Sequence, residues 1–379
     1  MRMKMKNPFV IYGYEGPETF CDRVEETAKM LAAIRNGRNV TLLAERRIGK
    51  TGLIKNVFHE LSEEGDIATI YVDIFNTQNL MEFTKRLASA VIGSMDGDIQ
   101  KALRAAGSFF KSIRPSLSVD PITGATSYSF SLQPSAVEST LKECFDYLAG
   151  KGPCVVAIDE FQQIAEYPEK GTEGLLRSYI QFLPNARFVF AGSRHHMMIE
   201  MFASAKRPFY NSTQTLPLER LDREVYFEFA ARLMSGSGAE LEREVFDFLY
   251  DVFDGITWYL QMVLNRLFER GSATLSDVRR VIAELLQEKN WEYSALVKSL
   301  PSGSVRLLKA IAAEGKVKSV TAAEFIAGHR LGGPSSVHLS QKKLVDDELL
   351  YETDDGLVVY DRLFRLWLVG LRGEEIYGV

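Results

Sequence analysis

Along the first half of the chain, short apolar runs alternate with helical spacings. Val40–Ala44 is an apolar run of strand length, followed by a Gly-containing turn. Behind the turn, Leu53, Ile54, Val57, Phe58 and Leu61 recur at intervals of three and four, which predicts a helix from Lys50 to Leu61. Ile67 to Ile74 is rich in β-branched residues and reads as a second strand, with a helix following from about Leu80 to Ile92. A further helix fits Ala136 to Leu148. Cys154 to Ile158 reads as a third, buried strand closed by Asp159-Glu160, and a helix near Thr172 to Phe182 leads to a fourth strand, Arg187 to Ala191. Strands that alternate with helices predict an α/β fold with a parallel sheet covered on both faces.

Two changes of rhythm divide the rest. Ser116 to Gln133 alternates polar and apolar around Asp120-Pro-Ile-Thr-Gly124, a hairpin signal. With its Gly/Ser-punctuated neighbour, Gly93 to Arg114, it reads as an insertion over about 93–135. After Leu218 the strands stop, and Arg223–Leu233, Leu241–Phe253, Trp258–Phe268 and Leu275–Asn290 read as helices. Beyond Leu300, Ser304–Ala313, Thr321–Ile326 and Ser335–Leu344 predict three short helices, the second capped by Thr321 with Glu324 three residues on. Leu349–Thr353 and Leu357–Tyr360 flank Asp354-Asp-Gly356 as a hairpin. Three short helices and a hairpin are a winged helix-turn-helix layout. The expected domains are therefore 1–216, an α/β unit, 217–300, a helical lid, and 301–379, a winged helix.

Composition narrows the class. At 46% hydrophobic and 25% charged, the chain lies in the ordinary globular range, which excludes disorder as its dominant state. A net charge of −5 excludes a uniformly basic nucleic-acid coat but leaves room for one local basic face. Three cysteines argue against a disulfide scaffold and for a reducing compartment. No apolar run reaches the ~18 residues of a membrane span, and Met1–Asn7 leads into Pro8 without the apolar core of a signal peptide. The expectation is a soluble cytoplasmic protein.

The candidate chemistry begins at Ala44-Glu45-Arg46-Arg47-Ile48-Gly49-Lys50-Thr51-Gly52, which follows a strand and opens a helix. Backbone N–H groups at a helix N-terminus wrap phosphate oxygens, Lys50 bridges them as a point charge, and the Thr51 hydroxyl suits Mg²⁺. The usual first glycine is replaced by Ala44, which costs little at φ < 0. The second motif is the apolar strand ending in Asp159-Glu160, at the sheet edge where ligands sit. Asp159 is the expected Mg²⁺ holder and Glu160 the expected general base for water. A third strand end, Gly192-Ser193-Arg194, is expected between the first and third strands. There Ser193 contacts the γ-phosphate or the attacking water, or forms a simple strand-end turn; Arg194 is a charge stabiliser or a solvated arginine.

These motifs resemble the archaeal-type ATPases of the STAND/AAA+ group of P-loop NTPases, a group found also in Bacteroides-like bacteria. Phe20-Cys-Asp-Arg23-Val-Glu25-Glu26 resembles that group's GRxxE segment with Asp22 for glycine, and Arg46 to Thr51 its arginine-rich phosphate loop. Pro208-Phe209-Tyr210 resembles its PLYGR segment with Asn211-Ser212 for Gly-Arg, and Gly255-Ile256-Thr257 its GxP signature with Thr257 for proline. The resemblance implies ATP binding, slow or regulated hydrolysis with Mg²⁺, Arg23 near the adenine and ribose, and a C-terminal winged helix.

That C-terminal module divides by charge. Ser302 to Lys343 carries seven basic and two acidic residues, and Leu344 to Val379 three basic and nine acidic. Ser335, Ser336, His338, Gln341 and Lys342 are polar groups on the expected third helix, the element that reads DNA in such modules, but an acidic wing repels phosphate. DNA is therefore a disfavoured partner, and docking within the chain or on another protein, or self-association, is the favoured use. The functional expectation is an ATPase acting as a nucleotide-controlled switch. The alternative is a non-hydrolysing nucleotide-dependent regulator, or a DNA-binding protein acting through the winged helix.

Overall fold

The computed structural model describes residues 6–65, 67–94, 114–119, 126–353 and 355–370. They fall into two compact units, one spanning Val10–Tyr226 and the other Phe227 onward together with the stretch up to Phe9.

The first unit is built on a five-stranded sheet of β1 (Val40–Ala44), β2 (Ala68–Asp73), β5 (Cys154–Asp159), β6 (Ala186–Gly192) and β7 (Gln214–Leu218). Their order is β2-β5-β6-β1-β7, and each neighbouring pair is parallel. The burial patterns follow that order. β1 and β5 are buried at every position, as inner strands covered on both faces must be. The edge strands β2 and β7 alternate instead. Pro217 is tolerated in β7 because an edge strand leaves one side of its backbone unpaired. The helices of this unit are α1 (Val24–Arg35), α2 (Lys50–Glu63), α3 (Leu80–Gly93), α4 (Val137–Gly150), α5 (Thr172–Ile180) and α6 (His195–Ala203). Phe161, Phe190, Phe202 and Phe209 pack ring on ring with centroids 4.5–5.8 Å apart. Met198 and Met201 are fully buried beside them, so these two methionines of α6 are packing residues.

Within the expected insertion, β3 (Arg114–Val119) and β4 (Thr126–Ser131) pair antiparallel. The turn centre expected at Asp120–Gly124 and most of the Gly/Ser-punctuated stretch before it, 95–113, lie outside the described residues.

The second unit holds α7 (Arg223–Ser235) from Phe227 onward, α8 (Arg243–Val252), α9 (Thr257–Arg270) and α10 (Leu275–Ser299). It continues with α11 (Ser302–Glu314), α12 (Ala323–Gly328), α13 (Pro334–Asp346), the hairpin β8 (Leu350–Thr353) and β9 (Gly356–Val359), and α14 (Arg362–Gly370). Val317 bridges Leu357 and ties the loop before α12 to the wing. α14 buries Leu363, Phe364, Leu366, Trp367 and Leu368, and the Trp367 indole N–H donates to Asn290 at 2.9 Å.

The first unit runs past the expected boundary at Leu216 as far as Tyr226, and Pro217 and Leu218 belong to its β7. One expectation of local structure is revised. The capping box at Thr321 and Glu324 does not form. The loop tied to the wing delays α12 to Ala323, its cap is Ala322 without a side-chain bond, and the Thr321 and Ser319 hydroxyls meet at 3.4 Å.

Candidate active site

The first turn of the site is forced by backbone geometry. β1 delivers a buried Ala44 whose φ is not positive, so its methyl group is tolerated. The loop then needs left-handed backbone at Arg47, φ 69°, and Gly49, φ 96°, before α2 starts at Lys50. A Cβ at Gly49 would meet no atom within 4 Å; its conformation, not crowding, calls for glycine. Gly52 differs, because a Cβ there would lie 3.1 Å from the Phe20 ring. The free N–H groups of the first turn of α2 remain available to an anion.

The flanks of this loop are held by side chains. Glu45 pairs with Arg220 at 3.3 Å. Ile48 is buried, and its carbonyl accepts a bond of 3.1 Å from Arg23. Arg23 is itself buried and paired with Glu26 at 2.8 Å, so it braces the loop from behind. Arg46 lies over the Phe75 ring at 5.2 Å and donates to the Ser193 hydroxyl at 3.2 Å.

The three strand ends then converge. Lys50 Nζ lies 3.2 Å from Asp159 Oδ1 and 3.0 Å from Glu160 Oε1. The Thr51 hydroxyl donates to Asp159 Oδ2 at 2.9 Å. β6 lies between β1 and β5, so Ser193 at its end reaches Glu160 and donates to Oε2 at 2.7 Å. Gln162 donates to the same oxygen at 2.6 Å. Lys50, Asp159, Gln162 and Ser193 are all buried. Glu160 sits in left-handed backbone, φ 59°, directly after β5. Burial raises its carboxyl pKa, but the Lys50 charge and the bonds from Ser193, Gln162 and Lys50 outweigh it and bring the value down to about 2. Arg194 turns away from this cluster into an ion pair with Glu166.

Sequence reasoning missed two partners here. Tyr71 on β2 donates its hydroxyl to Asp159 Oδ2 at 2.7 Å, and Gln162 completes the hold on Glu160. Burial, with the Asp159 carboxylate beside it, pushes the Tyr71 hydroxyl pKa upward. The Lys55 ammonium rests over the Tyr71 ring at 4.0 Å. The signal for Tyr71 was the period-2 face of β2, which sets Thr69, Tyr71 and Asp73 opposite the buried Ile70 and Val72.

A family described as an ATPase domain found predominantly in Archaea matches residues 20–263, and a probable winged helix domain matches 291–370. The chain belongs to this archaeal-type ATPase family. It therefore carries an ATP-binding ATPase domain followed by a winged helix. A Walker-type ATPase of Pyrococcus abyssi superposes with TM-score 0.66 at 20% identity, over 95% of this chain and 99% of that one. The Aeropyrum pernix ORC2 protein superposes with TM-score 0.58 at 15% identity, over 97% and 99%. No curated protein matches the sequence.

Three of the residues that depart from the family pattern, Asp22, Asn211 and Thr257, have structural explanations, and nothing in the structure explains Ser212 in place of arginine. Asp22 stands where the family has glycine, at φ 50°, and Asn211 stands in the other glycine position at φ 49°. Both are residue types whose short polar side chains tolerate left-handed backbone. Thr257, in place of proline, is the first residue of α9, where proline is favoured only for its fixed φ. Beside Asn211, Phe209 is fully buried, and Arg207 is held by Glu173 at 2.6 Å.

Proposed function

We propose that this protein is a Mg²⁺-dependent ATPase that works as a nucleotide-controlled switch. The observation that carries the reading is the double hold on Lys50. One buried ammonium is shared by Asp159 at 3.2 Å and Glu160 at 3.0 Å, while the next residue, Thr51, bonds Asp159. A structural ion pair needs one carboxylate. Two carboxylates, a lysine, a hydroxyl and a helix N-terminus in one place suit a triphosphate and its metal ion.

Thr51 and Asp159 would hold the cation. A hydroxyl and a carboxylate, with phosphate completing the shell, are the hard oxygen donors Mg²⁺ takes. Bound there, Mg²⁺ supplies neutralisation of phosphate charge. Lys50 exchanges its carboxylate partners for phosphate oxygens. Glu160 then loses one of its donors, keeps those from Ser193 and Gln162, and polarises a water molecule. The Lys50 charge is the foremost cause that lowers the Glu160 pKa, so the turn of Lys50 to phosphate raises that pKa and makes Glu160 a stronger base, which ties turnover to phosphate binding. Ser193 serves as the residue that sets Glu160, and Arg46 links that setting to the phosphate loop. The neighbour from Aeropyrum pernix was solved with ADPNP and ADP, in keeping with an adenine nucleotide.

The test is phosphate release from ATP and Mg²⁺ by the wild type, Lys50→Ala and Glu160→Gln. The expected result is turnover by the wild type alone. Equal release by all three would refute the proposal.

A further inference from the structure

We propose that Tyr71 is a positioning residue that aims the Asp159 carboxylate at the divalent cation. The inference rests on the reading of Asp159 and Thr51 as the cation's holders, and it adds a residue that no phosphate-loop or acidic-strand motif contains.

An ionised carboxylate offers about four lone-pair sites. Here four donors approach them. Oδ1 faces the Glu160 backbone N–H at 3.0 Å and Lys50 at 3.2 Å. Oδ2 accepts the hydroxyls of Thr51 at 2.9 Å and Tyr71 at 2.7 Å. Asp159 is only 4% exposed, so a cation or its bound water gains access by replacing a donor.

Of the four, Lys50 has the longest side chain and the strongest alternative partner, and it leaves most readily. The Glu160 N–H is backbone at the end of β5. Thr51 is fixed in the first turn of α2. Tyr71 is fixed in β2 in register with Ala157 of β5, two residues along the same strand from Asp159. Lys50 has a mobile ammonium on a flexible stem and a stronger partner in phosphate. When Lys50 turns to phosphate, one site on Oδ1 opens, while Tyr71 and Thr51 still pin Oδ2. The carboxylate then keeps its rotation and presents Oδ1 to the cation side.

Tyr71 is suited to that task. Its ring is held between strand and helix by Lys55 at 4.0 Å, so its hydroxyl has a fixed origin. Strand β2 is an edge strand, and Asp73 in the next position of the same face pairs in register with Asp159 itself. The tyrosine therefore ties the sheet edge to the cation holder. Outer partners of this kind typically alter metal affinity about 10- to 100-fold.

The test is Mn²⁺ binding, read by electron paramagnetic resonance, to wild type, Tyr71→Phe and Asp159→Asn, each saturated with a non-hydrolysable ATP analogue. Tyr71→Phe keeps the ring and removes only the hydroxyl, and its thermal midpoint verifies that the variant is folded. The expected result is roughly tenfold weaker Mn²⁺ binding for Tyr71→Phe and a larger loss for Asp159→Asn. Analogue affinity without metal is expected to be unchanged in Tyr71→Phe. Unchanged or tighter Mn²⁺ binding in Tyr71→Phe, alongside a loss in Asp159→Asn, would overturn the role of Tyr71. Unchanged binding in Asp159→Asn as well would overturn the reading of the cation site beneath it.

Discussion

The end of the parallel sheet and the third helix of the winged module both collect polar residues, in opposite ways. At the sheet end, Lys50, Asp159, Gln162 and Ser193 are buried and bonded to one another or to Glu160. On α13, Ser335, Ser336, His338 and Lys342 are exposed, and only Val337 and Leu344 are buried. Burying charge is costly unless it is paired, so the first cluster persists because its ionised groups are paired. The second costs nothing to display. A buried cluster of paired ionised groups therefore points to chemistry, whereas an exposed polar helix face does not by itself point to a ligand. The charge surplus of the winged module is also partly spent inside it, since Lys316 pairs with Asp355 of the wing at 2.9 Å.

The largest expected effect lies at the sheet end. Glu160→Gln should reduce phosphate release on the order of 10²- to 10⁴-fold, the range for loss of a general base. A steady-state rate close to wild type would place the base elsewhere. The winged module should respond through its core. Leu344→Ala empties a fully buried position and should cost about 2–5 kcal/mol, read by chemical denaturation. A third substitution probes the hold on Glu160. Ser193→Ala removes a donor from its carboxylate, so the pKa of Glu160 should rise from about 2 toward its ordinary value of 4.5. Because that pKa is depressed in the folded protein, its stabilising contribution is complete above about 4.5 and disappears as pH falls toward 2. Acid unfolding should therefore lose part of its slope in that window in Ser193→Ala, and an unchanged profile would separate Ser193 from Glu160. The smallest effect belongs to α13. Ser335→Ala, Ser336→Ala and His338→Ala should each change stability by less than about 0.5 kcal/mol. Salt-dependent binding of duplex DNA that these changes abolish would make α13 a reading helix after all.

What the sequence disclosed, and what it did not, follows the range of the interactions. The β1 strand, its turn and α2 were legible because strand, glycine and helix are local signals within about a dozen residues. The position of β6 between β1 and β5 was expected from its polar end at Ser193, and the structure has it there; the bond from Ser193 to Glu160 was not expected. The face on which Tyr71 lies was legible in the alternation of β2, but its partner was not. Its bond to Asp159 spans 88 residues and depends on the register of β2 against β5, which no local pattern encodes. Arg23 looked like a nucleotide contact in its motif, yet its bonds run to Glu26 and the Ile48 carbonyl. The Thr321 cap failed for a similar reason. Its local signal was complete, but the bridge between Val317 and Leu357 set where the loop could turn into α12.

The central claim is that Glu160 and phosphate compete for Lys50, and one paired measurement tests it. Calorimetric affinity for a non-hydrolysable ATP analogue with Mg²⁺ should be compared between wild type and Glu160→Gln. The account predicts that the variant binds more tightly, because its amide holds Lys50 without charge, while it no longer releases phosphate from ATP. Weaker binding together with undiminished phosphate release would contradict it.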